Sequence, residues 1–463
     1  MDSRKKIILL VACTAVLFEA LDIAIINLAM PLVREDFGLD NSTVQWLQTV
    51  YILSYGGFMI VGGKLADLAG RKKIFMIGAA LFLITSLGAA LSFTFGQLMA
   101  FRLVQGIGAA FVMPSALSII THTFEDGPAR SKAIGIFSAF AAIGSGTGLS
   151  LGGIIATYSG WQGVFFINVP VIAITLFIGY FYIPADTRVQ KKNRADILSA
   201  VILTLSIMLL SYLVHELMHF GDYPIIMTSM LLFVIVAVYI FAMRNQKRPD
   251  PLIDFSIFRS ALPLQGNIAS VFLGAFFTSY LFILSLVLQQ NMQYDTATAG
   301  LLLLPFSILS VIVGKFMIPV LVRKMPVQHA SLLGMSTMLL GGILLIVVLV
   351  TSYPLVILLL SVACVNGIGI GVSYTSLTVM AMHGIPPQHH GLASSVATTA
   401  YFFGGGLGLS ILGPFLELSV SEGSVNILPA ICLTLFAAGG VVYLLFRKTP
   451  GADSSVMESN PLH

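Results

Sequence analysis

The sequence predicts an all-α polytopic membrane protein, two six-helix bundles plus two inserted helices, with 14 transmembrane helices in total. Three observations predict it. Of 463 residues, 57% are hydrophobic and only 10% are Asp, Glu, Lys or Arg, against roughly 25% charged in ordinary soluble domains. The apolar residues fall into runs close to the about 20 residues that a helix needs to cross a bilayer. Laid out as alternating crossings, those runs collect nearly all Lys and Arg on one side. So few charges cannot cover a water-exposed surface, and a net charge of +4 is no basic footprint for nucleic acid. A soluble enzyme, a disordered chain and a nucleic-acid binder are excluded. Mean hydropathy is +0.95.

The first run, Ile7–Met30, follows a basic start that resembles a signal peptide. It continues past Glu19 and Asp22 without a small-residue cleavage pattern, so it reads as a retained first span. Val44–Leu65, Ile74–Phe93, Gln97–Ile120, Ala133–Ala156 and Val164–Tyr182 follow, each separated from the next by polar punctuation. Ile197–Val214 and Tyr223–Met243 form the inserted hairpin. The segments Pro184–Arg194 and Arg244–Pro263 hold Pro, Asn and clustered charge, and read as linkers. The last six spans are Leu262–Leu288, Ala299–Val320, Ala330–Val350, Pro354–Ala381, Leu392–Leu416 and Ile427–Phe446, with a very short loop at Val350–Pro354. This divides the chain into a first bundle (1–187), the hairpin with its linkers (188–258), and a second bundle with a tail (259–463).

Orientation follows from the basic residues. On the side of the N-terminus fall Arg4–Lys6, Lys64, Arg71–Lys73, Arg130, Lys132, Arg188, Lys191, Lys192, Arg194, Arg244, Lys247, Arg248, Arg259, Arg323, Lys324, Arg447 and Lys448. Only Arg34 falls opposite, while Arg102 and Lys315 lie within spans. Cytoplasmic loops are enriched in Lys and Arg, so both termini are expected in the cytoplasm. Cys13, Cys364 and Cys432 all sit in apolar runs without CxxC spacing, so neither a disulfide framework nor a metal cluster is expected.

Two segments recur. GSGTGLSLGG at Gly144–Gly153 parallels GGGLGLSILG at Gly404–Gly413, and Gly63-Lys64 more weakly parallels Gly314-Lys315. Two homologous bundles suit a transporter, in which a site lies between the halves and rocking alternates access to it. Gly144, Gly148, Gly152 and Gly153 are the candidates for close helix packing.

Glu19 and Asp22 lie three residues apart and share one helix face. A carboxylate near mid-membrane costs about 2.5–3.5 kcal/mol on insertion scales, and desolvation favours the neutral acid. A carboxyl group that protonates easily and faces a cavity binds either a proton or a cationic substrate, which is a physical basis for antiport. The plainer reading is that one carboxylate pairs with an Arg and fastens helices. Arg102, deep inside a span, is the natural counter-charge; a static role bonding backbone carbonyls is its alternative. Asn27, Gln105, Asn168, Tyr280, Gln289, Asn366, Tyr374 and Tyr401 offer cavity contacts or ordinary helix–helix hydrogen bonds. Gly62–Lys73 reads as a conformational latch: Gly63 and Gly70 permit close approach and a tight helix end, and Asp67, Arg71 and Lys72 supply breakable polar contacts.

HELMH at His215–His219 spells a zinc-protease pattern. Its only nearby third ligand, Asp222, lies too close after a Gly turn, so an interfacial polar belt is the preferred reading over a membrane zinc peptidase. Lys315 reads as a residue snorkelling to the interface. The sequence has no GxxxxGK[ST] loop, so uphill transport draws on an electrochemical gradient.

GGKLADLAGRKK (Gly62–Lys73) resembles the loop motif GxLaDRxGRK of the major facilitator superfamily, with Leu68 in place of Arg. RLVQGIGAA (Arg102–Ala110) resembles its fourth-helix motif. LDIAIINLAMP (Leu21–Pro31) resembles the first-helix motif of the 14-helix drug–proton antiporter branch, with Ala24 and Met30 replacing the usual Thr and Leu. GWQGVFFINVP (Gly160–Pro170), PDPLIDFSIF (Pro249–Phe258), AGLLLLPFSI (Ala299–Ile308) and GLASSVATTAYFFGGGLG (Gly391–Gly408) are similar to the same branch. In the exporter motif of the fifth helix, Leu149 stands where Pro is expected, so the kink rests on glycines alone. The resemblance implies a major facilitator fold. It also implies a monomeric, proton-coupled exporter of lipophilic, cationic or amphipathic compounds in a prokaryotic cytoplasmic membrane. Its partners are then the substrate, protons and the bilayer, with a proton gradient and no cofactor. Asp22 accepts the proton from outside, Glu19 assists, and Arg102 is the counter-charge. Export of an endogenous metabolite or lipid-like molecule is the alternative.

Overall fold

Hydrocarbon offers no hydrogen-bond partners, so a spanning backbone must satisfy its own N–H and C=O groups. The computed structural model describes residues 3–124, 127–185, 196–248, 251–253, 260–385, 390–418 and 425–446, and all regular elements among them are helices. Residues 186–194 of the first expected linker, 249–250 and 254–259 of the second, and the tail from residue 447 lie outside the described residues. In chain order the helices are α1 (Ser3–Phe37), α2 (Asn41–Ala69), α3 (Arg71–Ala90), α4 (Phe95–Thr123), α5 (Gly127–Phe166), α6 (Asn168–Tyr182), α7 (Ile197–His215), α8 (Pro224–Lys247), α9 (Ala261–Asn291), α10 (Thr296–Met317, continued by Ile318–Lys324), α11 (Val327–Val350), α12 (Leu355–Ala381), α13 (His390–Glu417) and α14 (Ile427–Phe446).

By length and composition, 13 runs among the described residues can cross a membrane. The fifth and sixth expected spans merge in that number. Only Ile167 separates α5 from α6, and the change of direction lies inside α5 at Gly160, whose φ of 66° suits a residue without a side chain. Helix α1 runs past the expected end at Met30, through Pro31, to Phe37. The short loop expected at Val350–Pro354 is a tight turn with Ser352 and Tyr353 both left-handed, at φ 63° and 62°, closed by Tyr353 N–H to Val348 C=O at 2.9 Å.

In the first half α1 packs on α5, α2 on α4, and α3 on α4; in the second α9 packs on α13, α12 and α14, and α11 on α12 and α14. Two long seams join the halves, α5 with α10 and α2 with α13, and α1 also touches α9. Helices α7 and α8 pair, and α7 lies against both α2 and α13, so the inserted hairpin covers one seam. The outward face of α8 carries Ile225, Leu232, Phe233 and Tyr239, a surface for lipid rather than water.

The repeated glycine segment does the same work twice. A side-chain carbon on Gly144, Gly148 or Gly152 would meet the backbone of α1, within 2.2 Å of the Leu17 carbonyl oxygen, 2.8 Å of that of Leu21 and 2.4 Å of that of Ile25. Gly404 and Gly408 stand against Val271 and Ala275 of α9 in the same way. Gly153 instead faces the second half, at Thr296 and Gly300 of α10. The stripe thus brings the helix bearing Glu19 and Asp22 into backbone contact with α5, and Leu149, in place of Pro, is buried within it.

The hairpin is tied down at the end of the bundle where α1 begins. Asp196 caps α7 through the Ser199 N–H at 3.2 Å and accepts from Arg248 at 2.9 Å and Arg244 at 3.4 Å. Lys64 donates to the Pro251 carbonyl, Asn245 exchanges two hydrogen bonds with the backbone of Ile253, and Leu252 packs among Ile60, Val61, Ala200, Phe241 and Val396. Partial burial alone would raise the Asp196 carboxyl, but its hydrogen bonds with Ser199 and the two arginines outweigh this and hold it below the ordinary value.

Two expectations follow. Gly148→Leu should cost about 1–3 kcal/mol by overpacking and lower the thermal midpoint in detergent, whereas Gly96→Ala, with nothing within 4 Å, should leave it unchanged. A folded value below the unfolded one means that stability is complete above about pH 4 and is lost as the pH falls through the lowered value. Acid unfolding monitored by circular dichroism should therefore lose part of its pH dependence in Asp196→Asn.

Candidate substrate and proton site

Helix α1 turns both of its acidic side chains inward. Glu19 is 4% exposed and Asp22 1%, and the two meet different surroundings. Asp22 joins a buried polar network. Arg102 of α4, fully buried, donates through Nη1 to Asp22 Oδ2 at 2.6 Å. Asn168 Nδ2 of α6 donates to Asp22 Oδ1 at 2.9 Å, and Gln105 Nε2 approaches the same oxygen at 3.4 Å. Arg102 also reaches Gln105 Oε1 at 2.8 Å, Gln48 Oε1 at 3.3 Å and the Leu47 carbonyl at 3.3 Å. Its guanidinium lies 3.9 Å from the ring centre of Tyr51 and 5.7 Å from that of Phe165, cation–π contacts that strengthen away from water. Gln105 Nε2 finishes on Ser86 Oγ of α3 at 2.8 Å. A buried ion pair holds only when its remaining donors and acceptors are satisfied in this way.

Glu19 stands beside tyrosines from both halves. The Tyr55 hydroxyl of α2 hydrogen bonds to its carboxyl, and Tyr374 of α12 is near enough to interact with it electrostatically. Tyr374 meets Tyr401 edge-on at 5.4 Å, Tyr401 meets Phe402 at 5.2 Å, and Phe402 of α13 meets Tyr55 at 4.4 Å. Among the described residues no Lys, Arg or His pairs with Glu19. A buried carboxyl group beside tyrosines, without a cationic partner among the described residues, can take up a cationic guest or a proton.

Of the other residues singled out from the sequence, Asn168 and Gln105 join Asp22, Tyr374 lies near Glu19, and Tyr401 touches Tyr374. Asn27 turns its amide to the carbonyls of Ile23 and Ala24, both at 3.1 Å. Tyr280 lies apart, bonded to Ser361 at 2.8 Å and stacked on Phe276. Asn366 sits in a π-helical turn, Ala363–Gly369, with its Oδ1 buried and unpartnered, a local form that concentrates at functional sites. Gln48, Tyr51, Tyr55, Ser86, Phe165 and Phe402 were not among the sequence candidates. Gln48, Tyr51 and Tyr55 share one face of α2 at helical spacing, a signal visible in hindsight only because the span is otherwise apolar.

The halves meet firmly at the end of the bundle away from the N-terminus. Ser285 Oγ donates to the Asn27 carbonyl at 2.6 Å, Gln289 to that of Leu28 at 3.1 Å, Asn41 pairs with Gln290, and Ser42 donates to Glu417 at 3.2 Å. At the other end the halves also meet, Val396 of α13 packing with Ile60 and Val61 of α2. There Lys72 caps α6, donating to the carbonyls of Tyr180 at 2.6 Å and Ile183 at 2.7 Å, while Asp67 is exposed and bonds to no described residue. Gly70, φ 105°, makes the turn between α2 and α3.

HELMH does not lie on one α-helix. His215 ends α7, and Glu216–His219 form a 3₁₀ turn, which spoils the i, i+4 geometry that two zinc ligands need. His215 Nδ1 lies 3.1 Å from Gln45 Nε2, and its ring stands edge-on to Trp46 at 5.3 Å. The His219 side chain lies outside the described residues. Lys315 is exposed and lies over the Phe316 ring at 5.2 Å.

Comparison with known proteins agrees with this architecture. The chain is 29% identical over 423 residues to the multidrug resistance protein Stp of Mycobacterium tuberculosis, covering 90% of this chain and 77% of that one. It is 30% identical over 421 residues to the cephamycin export protein CmcT of Amycolatopsis lactamdurans, covering 87% and 83%. Its fold superposes on the crystal structure of a D-xylose-proton symporter with a TM-score of 0.69 at 16% identity, over 96% of this chain and 97% of the other. The family model described as Major Facilitator Superfamily matches residues 12–409, so the chain is a multi-pass membrane protein that belongs to the major facilitator superfamily.

Proposed function

We propose that this protein is a drug efflux transporter: a proton-coupled antiporter that exports lipophilic, cationic or amphipathic compounds by alternating access. One observation carries the reading. Glu19, buried and without a cationic partner among the described residues, lies beside Tyr55 of one half and Tyr374 of the other, three residues from Asp22 of the Asp22–Arg102 pair. The names of the two relatives, a multidrug resistance protein and a cephamycin export protein, support export. With both termini in the cytoplasm, the bundle as described is closed outward. Substrate then enters from the cytoplasmic face or the inner leaflet, and a cationic group settles against Glu19 with the tyrosines around it.

In the cycle, the halves rock and expose the site outward. A proton reaches Asp22 and Glu19 assists, so the net negative charge of the acidic pair falls and the cationic cargo held against Glu19 leaves. Loss of the Asp22 charge frees Arg102 to its other acceptors, and return to the cytoplasm-facing state restores the pair and expels the proton. Asp67, bonded to no described residue in this state, forms the cytoplasmic latch with Arg71 when that side closes; Lys72 stays on α6. One charge moving down 100 mV supplies about 2.3 kcal/mol, which sustains roughly a 50-fold gradient. The protein works as a monomer in the cytoplasmic membrane, with the proton gradient as its energy source and no cofactor. Export of an endogenous metabolite is the second reading, favoured by the cephamycin relative.

Proteoliposomes with an imposed pH gradient test the reading. Wild type should drive uphill movement of ethidium; Asp22→Asn should abolish the dependence on the gradient. Glu19→Gln should weaken cation binding about tenfold, equivalent to the loss of one desolvated cation contact, while sparing a neutral lipophilic substrate. Retention of gradient-driven ethidium transport by both variants would overturn the assignment. In detergent, Asp22→Leu should cost about 3–5 kcal/mol by leaving Arg102 buried and unpaired. Asp22→Asn keeps an acceptor and should cost clearly less, as thermal unfolding can record.

A further inference from the structure

The far end of α1 carries charges that its own helix disfavours. Glu35 and Asp36 both fall in the last turn of α1, where aligned peptide dipoles leave partial negative charge and a carboxylate is unfavourable. Asp36 is nevertheless fixed in place. The buried indole of Trp161, in α5 just beyond the turn at Gly160, donates through Nε1 to Asp36 Oδ2 at 2.8 Å. The Phe37 ring meets that indole at 5.5 Å and Phe95 of α4 at 6.3 Å. Asp36 Oδ1 accepts from no described residue.

Asp36 lines a cavity of about 380 Å³ together with Ala90, Leu91, Ser92, Phe93 and Gln162. The wall from Ala90 to Ser92 is the C-terminus of α3, a second helix end with partial negative charge. Gln162 adds an amide, and no Lys, Arg or His lines the cavity among the described residues. Leu91 and Phe93, 60% and 86% exposed, form its apolar rim. Phe93 is also the last residue of the apolar run that starts at Ile74, so the rim stands where hydrocarbon gives way to headgroups. All of these residues belong to the first half. At 1.5 Å per residue, Asp36 lies about 25 Å along α1 from Glu19, well away from the site described above.

We propose that this cavity binds the primary ammonium headgroup of a phospholipid from the adjoining leaflet, with Asp36 as the counter-charge and Leu91 and Phe93 against the lipid's first acyl carbons. The inference goes beyond the antiport reading and does not depend on it. A carboxylate held by one neutral donor and set against two helix C-termini attracts a cation, and with no basic side chain in the wall an anionic headgroup is repelled. An ammonium with three N–H donors is met by Asp36 Oδ1, the Gln162 amide oxygen and a carbonyl at the end of α3. A trimethylated ammonium has no donor to give. The apolar rim selects a lipid over a soluble amine, because an occupant with acyl chains also covers Leu91 and Phe93. Such a lipid ties the far end of α1, the helix that carries Glu19 and Asp22, to the bilayer.

The chain has two tryptophans, and Trp161 bonds to Asp36 itself, so its emission reads the site. The test uses the full chain carrying Trp46→Phe in phosphatidylcholine nanodiscs, into which phosphatidylethanolamine or phosphatidylglycerol is titrated. Phosphatidylethanolamine should shift the Trp161 emission saturably, its N,N-dimethyl form more weakly, and phosphatidylglycerol not at all. Asp36→Asn, which keeps an acceptor for the indole, should raise the half-saturating fraction of phosphatidylethanolamine roughly tenfold through loss of one charge-assisted contact. If that variant fails to fold, Gln162→Leu decides instead: a weakened response supports the site and an unchanged one overturns it. An equal response to all the lipids, or a preference that Asp36→Asn leaves intact, overturns the proposal. Displacement of the phosphatidylethanolamine response by tetraphenylphosphonium would make the cavity a subsite for cationic cargo and overturn the lipid assignment.

Discussion

The structure turns on keeping an arginine and an aspartate out of water in the middle of an apolar bundle. Arg102 and Asp22 are buried essentially completely, and an ion pair gains little in such a place unless every remaining donor and acceptor is met. The bundle supplies partners from several helices: Gln48 and the Tyr51 ring from α2, Ser86 from α3, Gln105 from α4 and Asn168 from α6, with Tyr51 Oη and Asn168 Oδ1 left unpartnered among the described residues. The first half is thus organised around one pair of charges. Glu19, one turn away, is left to face the tyrosines of the other half.

Close approach of α1 to α5 is what makes this arrangement possible. The glycine stripe lets the carbonyls of Leu17, Leu21 and Ile25 come against backbone rather than side chains, as small residues do in membrane helix packing. The carboxylates therefore point away from α5 and into the space shared with α2, α4 and α12. The same device recurs between α13 and α9, so each half has one helix pressed on another by glycine alone. An exporter-motif proline is absent at Leu149, and the packing is made without it.

Much of this was legible in the sequence. The spans could be placed because a bilayer demands long apolar runs, and Gly144–Gly153 could be matched to Gly404–Gly413 because backbone contact tolerates few residue types. The charged members of the site stood out for the cost of burying them. What escaped was the uncharged remainder. Gln48, Tyr51, Tyr55 and Ser285 are ordinary in composition, and their importance comes from a partner distant in sequence, such as the 258 residues between Asn27 and Ser285. Tyr280, a sequence candidate, proves to be bonded inside the second half. The division of labour between Asp22 and Glu19 likewise depends on which helix each faces, and spacing along α1 alone does not reveal that.

The inserted hairpin has a mechanical consequence. It braces the seam between α2 and α13, with Leu252 wedged beside it, and leaves the seam between α5 and α10 bare. On that seam Gly153 and Gly300 meet without side chains, so no interlocking occurs at that point. One edge of the molecule is splinted and the other is smooth: a lopsided hinge, in which sliding is concentrated on the unbraced flank.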